Sequence, residues 1–394
     1  MSAGHQAAGG PGVGQPAVDD LLIASTLAGD VGLPLMVGKL ARLLAEQGRQ
    51  VRAVGPCAGE PCVALAIPGV ATTLLPPGNG IVAIAGAMGE CRRLIREAAV
   101  SGRGQRLIHI HGIWTPPVVA AGLQAIRSGL PFVVSPHGML LAPALQRHWV
   151  RKRVALALAV RRILEAARLV HAASDAEAEA VRSVAPRAKT VTIPFGVELP
   201  GRRVTEPGPR PRTMGYLGRL AAGKNLELLV RAWAAERPPG WRLRIAGPDE
   251  AGLRGRLERL AASLGLRETV SIEGPVPRHD VSRFLTELAV FVQPSMSENF
   301  GLAVAEALAS ATPVITTTGT PWEGVSRHRC GWYVPPTEAA LRGAIAEAAA
   351  MPLDSLAAMG GRGAEWMAAE YSWASLGPRF LRELYGLPAA GGAG

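Results

Sequence analysis

The sequence predicts an α/β protein in which two doubly wound, parallel-sheet domains follow one another. Apolar runs of strand length alternate with helical stretches along most of the chain, the pattern that builds a parallel sheet with helices on both faces. One turn-rich stretch, PGRRVTEPGPRPRT at 200–213, interrupts the alternation. A length of 394 residues with 48% hydrophobic content is ample for two cores.

Residues 1–17 are rich in Gly, Ala and Pro and predict a disordered N-terminus, and 387–394 predict a disordered tail. The first domain, 18–199, carries strand candidates LLIAST, QVRAV, RLIHIH, PFVVSPH and ARLVHAAS, with VGKLARLLAEQG and PPVVAAGLQAIRSG as helices between them. After the 200–213 linker, the second domain, 214–370, runs through TMGYLGRL, WRLRIAGPD, TVSIEGPV, LAVFVQPS and TPVITTT. No strict internal repeat is visible, so the two halves read as similar Rossmann-like folds and not as a solenoid. The stretch 371–386, YSWASLGPRFLRELYG, reads as a terminal segment anchored by apolar burial of Trp373. Ligands of open α/β sheets bind beyond the carboxyl ends of the strands, so two such sheets facing each other predict an interdomain cleft.

Composition narrows the function classes. The longest apolar stretches, such as IVAIAGAM at 81–88, are too short to span a bilayer, and the N-terminus lacks the basic-then-apolar order of a secretory signal, which together imply a cytoplasmic protein. Cys57, Cys62, Cys91 and Cys330 have no C-x-x-C spacing and no companion histidine cluster, so they read as free thiols and not as metal ligands. The net charge of +11 rests almost wholly on arginine, the only lysines being Lys39, Lys152, Lys189 and Lys224. Arg147, Arg151, Lys152, Arg153, Arg161, Arg162 and Arg168 fall in one predicted helix, 147–168, against the single acid Glu165. Interleaved with apolar residues, they suit a helix lying on an anionic membrane face or over an acceptor cleft. Nucleic-acid binding lacks support, because aromatics are only 5% and no stacking platform or groove-reading motif is present.

The chemistry concentrates in FVQPSMSENFGLAVAEALASATPVITTT at 291–318. A short buried strand there empties into a helix N-terminus, where the backbone N–H groups of Phe300, Gly301 and Leu302 and the helix dipole favour a pyrophosphate. Gly301 permits close approach. Glu298 in the turn can accept from sugar hydroxyls, and Glu306, more than a turn into the helix, can take the vicinal hydroxyls of a ribose. At 216–225, YLGRLAAGKN places Arg219 and Lys224 just after a strand, where both cations can converge on one pyrophosphate and stabilise a departing nucleoside diphosphate. His137, in VVSPHGML, follows a strand of the first domain and can donate to a sugar hydroxyl or phosphate, while His109 and His111 alternate along a strand and share a face. No D-x-D element sits at a strand end.

The segment PS-x-SENFG, the E-x-x-x-x-x-x-x-E pair it opens and the following TPVITTTGTPW resemble the retaining family 4 glycosyltransferases, which have the GT-B fold. GR-L-x-x-x-K at Arg219–Lys224 matches another element of that family, with Asn225 where glycine is common. The resemblance spans roughly residues 20–386. It implies two Rossmann-like domains facing a cleft, with the terminal segment crossing back to the first. It further implies transfer of a hexose from a UDP- or GDP-sugar to an acceptor hydroxyl, with retention on the front face, no metal and no other cofactor. Arg219, Lys224, Glu298 and His137 would carry the chemistry. The donor would be held by Phe300, Gly301, Leu302, Glu306 and the backbone around Val276. Gly29 and Gly32 resemble the family's flexible glycine loop near the donor phosphate, although Asp30 replaces one glycine there. IHIHGIW and SPHGML resemble the branch associated with bacterial exopolysaccharide assembly, which implies a lipid-linked or saccharide acceptor at the inner membrane surface. A non-catalytic nucleotide-sugar-binding partner and a GT-B nucleotide-sugar epimerase are the alternative readings.

Overall fold

The computed structural model describes residues 19–29, 32–56, 67–76, 80–100, 106–146, 149–200 and 210–388. The 1–17 N-terminus, Asp30, Cys57, Cys62, Arg147, most of the 200–213 linker and residues 389–394 lie outside them.

Seven parallel strands form the first sheet: β1 (Asp20–Ala24), β2 (Val51–Pro56), β3 (Val70–Leu75), β4 (Leu107–His111), β5 (Phe132–Ser135), β6 (Leu169–Ala172) and β7 (Thr190–Thr192), in the order β3-β2-β1-β4-β5-β6-β7. Six more form the second: β8 (Thr213–Leu217), β9 (Arg242–Ala246), β10 (Val270–Glu273), β11 (Val290–Gln293), β12 (Val314–Thr317) and β13 (Gly331–Val334), in the order β10-β9-β8-β11-β12-β13. The central strands are buried on both faces, which is why they read as unbroken apolar runs. Strands β3, β7 and β13 have no counterpart among the strand candidates. Each lies at or beside a sheet edge and is only partly buried, so its apolar signal is weak.

In each sheet the strand order reverses once, between β1 and β4 and between β8 and β11, and a crevice opens at the carboxyl ends of those strands. The loops after β1, β8 and β11 carry Gly29 and Gly32, Arg219 and Lys224, and Glu298, so topology alone brings these residues toward the crevices.

The terminal segment Trp373–Tyr385 packs on the first domain. Leu376, Phe380, Leu381, Leu384 and Tyr385 join a core with Leu22 of β1 and Val37, Leu40 and Ala41 of the helix Leu33–Glu46. Where the chain crosses between domains, Val197 N–H donates to Tyr371 C=O at 2.7 Å, and Trp373 lies against Gly196 and 5.6 Å from the Phe380 ring.

The basic stretch is shorter than the sequence suggests. It runs as helix Trp149–Ala155, a π turn Leu156–Val160 and helix Arg161–Ala166, so Arg168 lies beyond its end. Cys91 and Cys330 are free and buried, and burial pushes each thiol up to about 12. Among the described residues no helix is long and apolar enough to cross a membrane.

Candidate functional site

The turns after β8 and β11 lie against each other. Met296 N–H donates to Gly223 C=O at 3.1 Å, so the β11 turn rests on the 3₁₀ turn Ala222–Lys224. Asn225, next in the chain, has φ of 59°, a left-handed conformation that asparagine tolerates nearly as well as glycine. That explains why asparagine suffices at this position. Lys224 then reaches Glu298: its ammonium donates to Glu298 Oε1, and so do Gln293 Nε2 at 2.8 Å and Ser295 Oγ at 2.7 Å. Three donors on one oxygen fix the carboxylate, and none of the three engages Oε2.

Arg219 and Lys224 do not converge here, contrary to the expectation that both meet one pyrophosphate. Arg219 is 62% exposed and pairs with Glu250 at 2.5 Å, whereas Lys224 pairs with Glu298. Two carboxylates divide the two cations between them, and each follows its own partner.

Beyond Glu298 the chain enters the helix Leu302–Ala309 through Gly301, whose φ of 78° a side chain would strain. Phe300 is buried against Phe195, Trp322 and Tyr371, and its carbonyl accepts from Trp322 Nε1, so it offers the site only its N–H. No hydrogen bond among the described residues engages the N–H of Phe300, Gly301 or Leu302. Glu306 does not stand open for a ribose: the Arg278 guanidinium donates to its Oε1. Both line a narrow interdomain cleft of about 20 Å³ with Gly32, Leu302, Lys39 and Glu198, the last two also ion-paired. Gly32 is there because it caps the helix Leu33–Glu46, whose first turns form the cleft's other wall. Gly29 lies three residues before Gly32, with φ of 91°, and Val276 is half-buried in the loop after β10.

The first domain contributes a set of histidines. His137 follows β5 with φ of 56°, and its Nε2 lies 3.0 Å from His111 Nδ1. His109 and His111, two apart on β4, stack with ring centroids at 4.0 Å. Burial pushes all of these imidazoles down, His137 to about 3 and His171 of β6 to about 4, so they are neutral. Neutrality then orders a chain of protons. The Ile193 carbonyl can only accept, so His171 Nε2–H donates to it at 2.7 Å and His171 Nδ1 accepts from the Ser135 hydroxyl at 2.8 Å. Ser135, its one proton used, accepts from His109 Nε2–H, and His109 Nδ1 accepts from the Tyr385 hydroxyl at 2.7 Å. The chain pins the returning C-terminal segment to β4, β5 and β6, so His109 is a core residue, and His111 borders His137.

Gly32, Leu302 and Glu306 therefore share one cleft, Lys224 meets Glu298, and His137 lies on the turn that faces Asn299 of the second domain, where a Cβ on Gly138 would come 2.7 Å from the Asn299 Cβ. Val276 and Leu302 pack against the apolar cluster that holds Phe300, while Arg219 is paired with Glu250. Lys39, Glu198, Arg278, Gln293, Ser295 and Glu177 escaped the sequence reading. Only Glu177 carried a signal, the Ser174-x-x-Glu177 spacing of a helix N-terminus.

Residues 32–196 match the glycosyl transferase 4-like domain, and residues 202–366 match glycosyl transferases group 1. The chain belongs to the GT-B glycosyltransferases. Among relatives, a D-inositol 3-phosphate glycosyltransferase from Actinosynnema mirum is 34% identical over 39% of this chain and 41% of its own. A GDP-mannose:cellobiosyl-diphosphopolyprenol alpha-mannosyltransferase from Xanthomonas oryzae is 29% identical over 54% of this chain and 56% of its own. The matches thus span less than two thirds of either relative. Anabaena HepE, solved with UDP and glucose, superposes over 93% of this GT-B chain and 100% of its own with a TM-score of 0.74 at 18% identity, a likeness of fold.

Proposed function

We propose that this GT-B protein is a retaining, metal-independent glycosyltransferase that moves a hexose from a UDP- or GDP-sugar to an acceptor hydroxyl. The observation that carries the reading is the Lys224–Glu298 pair, held by Gln293 and Ser295 in the turn that leads into the helix Leu302–Ala309, whose Leu302 and Glu306 line the interdomain cleft. The diphosphate binds the N–H groups of Phe300, Gly301 and Leu302 with Lys224 beside it, and Arg219 leaves Glu250 to join them. Glu306 exchanges Arg278 for the ribose hydroxyls. Glu298 Oε2 accepts from a hydroxyl of the sugar, and His137, uncharged, donates to or accepts from another.

Because Glu298 is committed to Lys224, it is a poor nucleophile, which favours transfer on one face of the sugar. The bond from the anomeric carbon to the leaving phosphate oxygen breaks, the acceptor oxygen bonds to the same face, and the acceptor proton passes to the departing phosphate. The charge that develops on the diphosphate is met by Lys224 and Arg219.

UDP and glucose in HepE and GDP-mannose in the name of the Xanthomonas relative support a nucleotide-sugar donor of either kind. The same relative's name, with its diphosphopolyprenol acceptor, supports a lipid-linked glycan as acceptor. The placement of the basic helix agrees: Lys152 sits over the Trp114 ring at 5.3 Å, and Trp114 Nε1 donates to the carbonyl of Met139, two residues from His137. A peripheral position at the inner membrane face and a role in surface polysaccharide assembly follow.

The deciding experiment is a thermal-shift and slow-hydrolysis screen against UDP- and GDP-sugars in EDTA. Stabilisation by one nucleotide, with release of its sugar, is expected. No response to any donor would defeat the assignment, and a nucleotide sugar altered without acceptor would replace transfer by epimerisation.

A further inference from the structure

The turn that carries Glu298 is braced by a second segment to which the proposed transfer assigns no part. Thr317 ends β12, and the loop 318–322 that follows it runs beside residues 295–300. Thr317 Oγ1 donates to the Ser295 carbonyl, Glu298 N–H donates to the Gly319 carbonyl at 2.8 Å, and Trp322 Nε1 donates to the Phe300 carbonyl. The brace is itself held, since Tyr333 Oη of β13 donates to the Thr320 carbonyl at 3.0 Å, and Thr320 Oγ1 to that of Thr317 at 2.9 Å. Trp322 is 1% exposed, with its ring centroid 5.1 Å from those of Phe300 and Tyr371 and 5.7 Å from that of Trp366. An indole N–H so buried needs an acceptor, and the Phe300 carbonyl supplies it.

That bond fixes more than a carbonyl. The Phe300 C=O and the Gly301 N–H belong to one peptide group, which is planar and trans, so the two point in opposite directions. With the carbonyl drawn into the aromatic cluster, the Gly301 N–H is turned out of it. Gly301 is only half-buried, and no hydrogen bond among the described residues engages that N–H. The φ of 78° at Gly301 does not by itself hold the peptide in this orientation, because glycine takes positive and negative φ alike and so permits the plane to flip. A less permissive residue is disfavoured there, since its Cβ would crowd Trp322 Nε1 at 3.2 Å. We propose that Trp322 is a positioning residue: its indole N–H locks the Phe300–Gly301 peptide with the Gly301 N–H facing the donor's diphosphate. The part played by the diphosphate rests on the glycosyltransferase reading, whereas the locked peptide does not.

Two variants remove the N–H and keep an aromatic ring. Trp322→Phe is the simpler. The second carries 3-benzothienylalanine at position 322, the same bicycle with sulfur in place of the N–H, and it keeps the test should the smaller ring leave the protein unfolded. The chain has two Phe-Gly pairs, 195–196 and 300–301, so labelling Phe carbonyls with 13C and Gly nitrogens with 15N yields amide signals from these two peptides alone. Phe195→Leu removes one signal and so assigns the other. Addition of UDP or GDP to the wild type should shift the 300–301 signal. Both variants should shift or split that signal before any ligand is added. They should also bind the nucleoside diphosphate about tenfold or more weakly, the scale of a lost hydrogen bond to a charged group, with affinity for uridine or guanosine nearly unchanged. A ligand-free 300–301 signal identical in wild type and variants, or nucleoside and diphosphate affinities falling together, would overturn the lock. If UDP or GDP binds the wild type without moving the 300–301 signal, the Gly301 N–H does not face the diphosphate, and the inference falls while nucleotide binding stands. If neither binds at all, the glycosyltransferase reading fails, and the ligand-free signals still decide whether Trp322 holds the peptide.

Discussion

In the proposed transfer, Lys224 is the residue on which the chemistry turns. It is one of four lysines in a chain that otherwise uses arginine, and its ammonium is shared between a fixed carboxylate and the position a diphosphate would take. A compact charge on a flexible stem suits that exchange better than a planar fork. Replacing it with alanine removes the charge that meets the leaving group and leaves Glu298 with two neutral donors. We expect Lys224→Ala to lower turnover by about 10²-fold or more, the scale lost with one preorganised stabilising group, and Arg219→Ala to do the same. Steady-state kinetics checks both, and near-normal turnover in the two would refute their role. Lys224, Glu298 and Glu306 were legible in the sequence because each lies within a short motif whose spacing states its place on a turn or helix. Arg278 and Glu177 were not. Their partners, Glu306 and Gly138, are 28 and 39 residues away, and only the folded chain shows that they meet.

At the scale of elements, the carboxyl-end half of the first sheet holds His109 and His111 on β4, Ser135 on β5 and His171 on β6 in a buried hydrogen-bonded layer. The alternation in RLIHIH showed that two histidines share a face, but not what they face, since Tyr385 is 276 residues from His109. The layer has a cost that pH exposes. Each imidazole is neutral in the folded protein, with His137 near 3 and His171 near 4, whereas in the unfolded chain it takes up a proton near 6.5. Below that value the unfolded state binds more protons, so stability falls as pH falls, by about 1.4 kcal/mol per pH unit for each such histidine, until the folded values are reached. We expect denaturant unfolding to show a loss of several kcal/mol between pH 7 and pH 5. A flat profile would mean that these histidines are solvated or paired in the unfolded chain.

The whole molecule was the most legible level in one respect and the least in another. Two parallel-sheet domains follow from strand and helix alternation, which is a local signal, and the break at 200–213 separates them. The relation between the domains is not local: it depends on the Val197–Tyr371 crossing, on Trp373 against Gly196, and on the return of Phe380 and Tyr385 to the first core. The same long-range view gives the basic helix its meaning. Val150, Val154 and Leu158, spaced by four, are each more than half exposed, with Trp149 beside them and Arg151, Arg153 and Arg162 around them. Apolar residues flanked by arginine suit an interface of acyl chains and anionic headgroups. From this surface the contacts of Lys152 with Trp114, and of Trp114 with Met139, lead inward to His137. A lipid-linked acceptor lying in the bilayer would then present its sugar to the cleft while its diphosphate stays at the headgroup level. Each basic residue near an anionic surface contributes about 1 kcal/mol, so reversing two of them should weaken vesicle binding by about 10²-fold or more. We expect Arg151→Glu with Arg153→Glu to abolish co-sedimentation with phosphatidylglycerol vesicles and turnover of a lipid-linked acceptor, while turnover of a soluble acceptor persists. Undiminished vesicle binding in the double variant would place the membrane contact elsewhere, and loss of activity on both acceptors would assign the helix to the folding of the cleft instead.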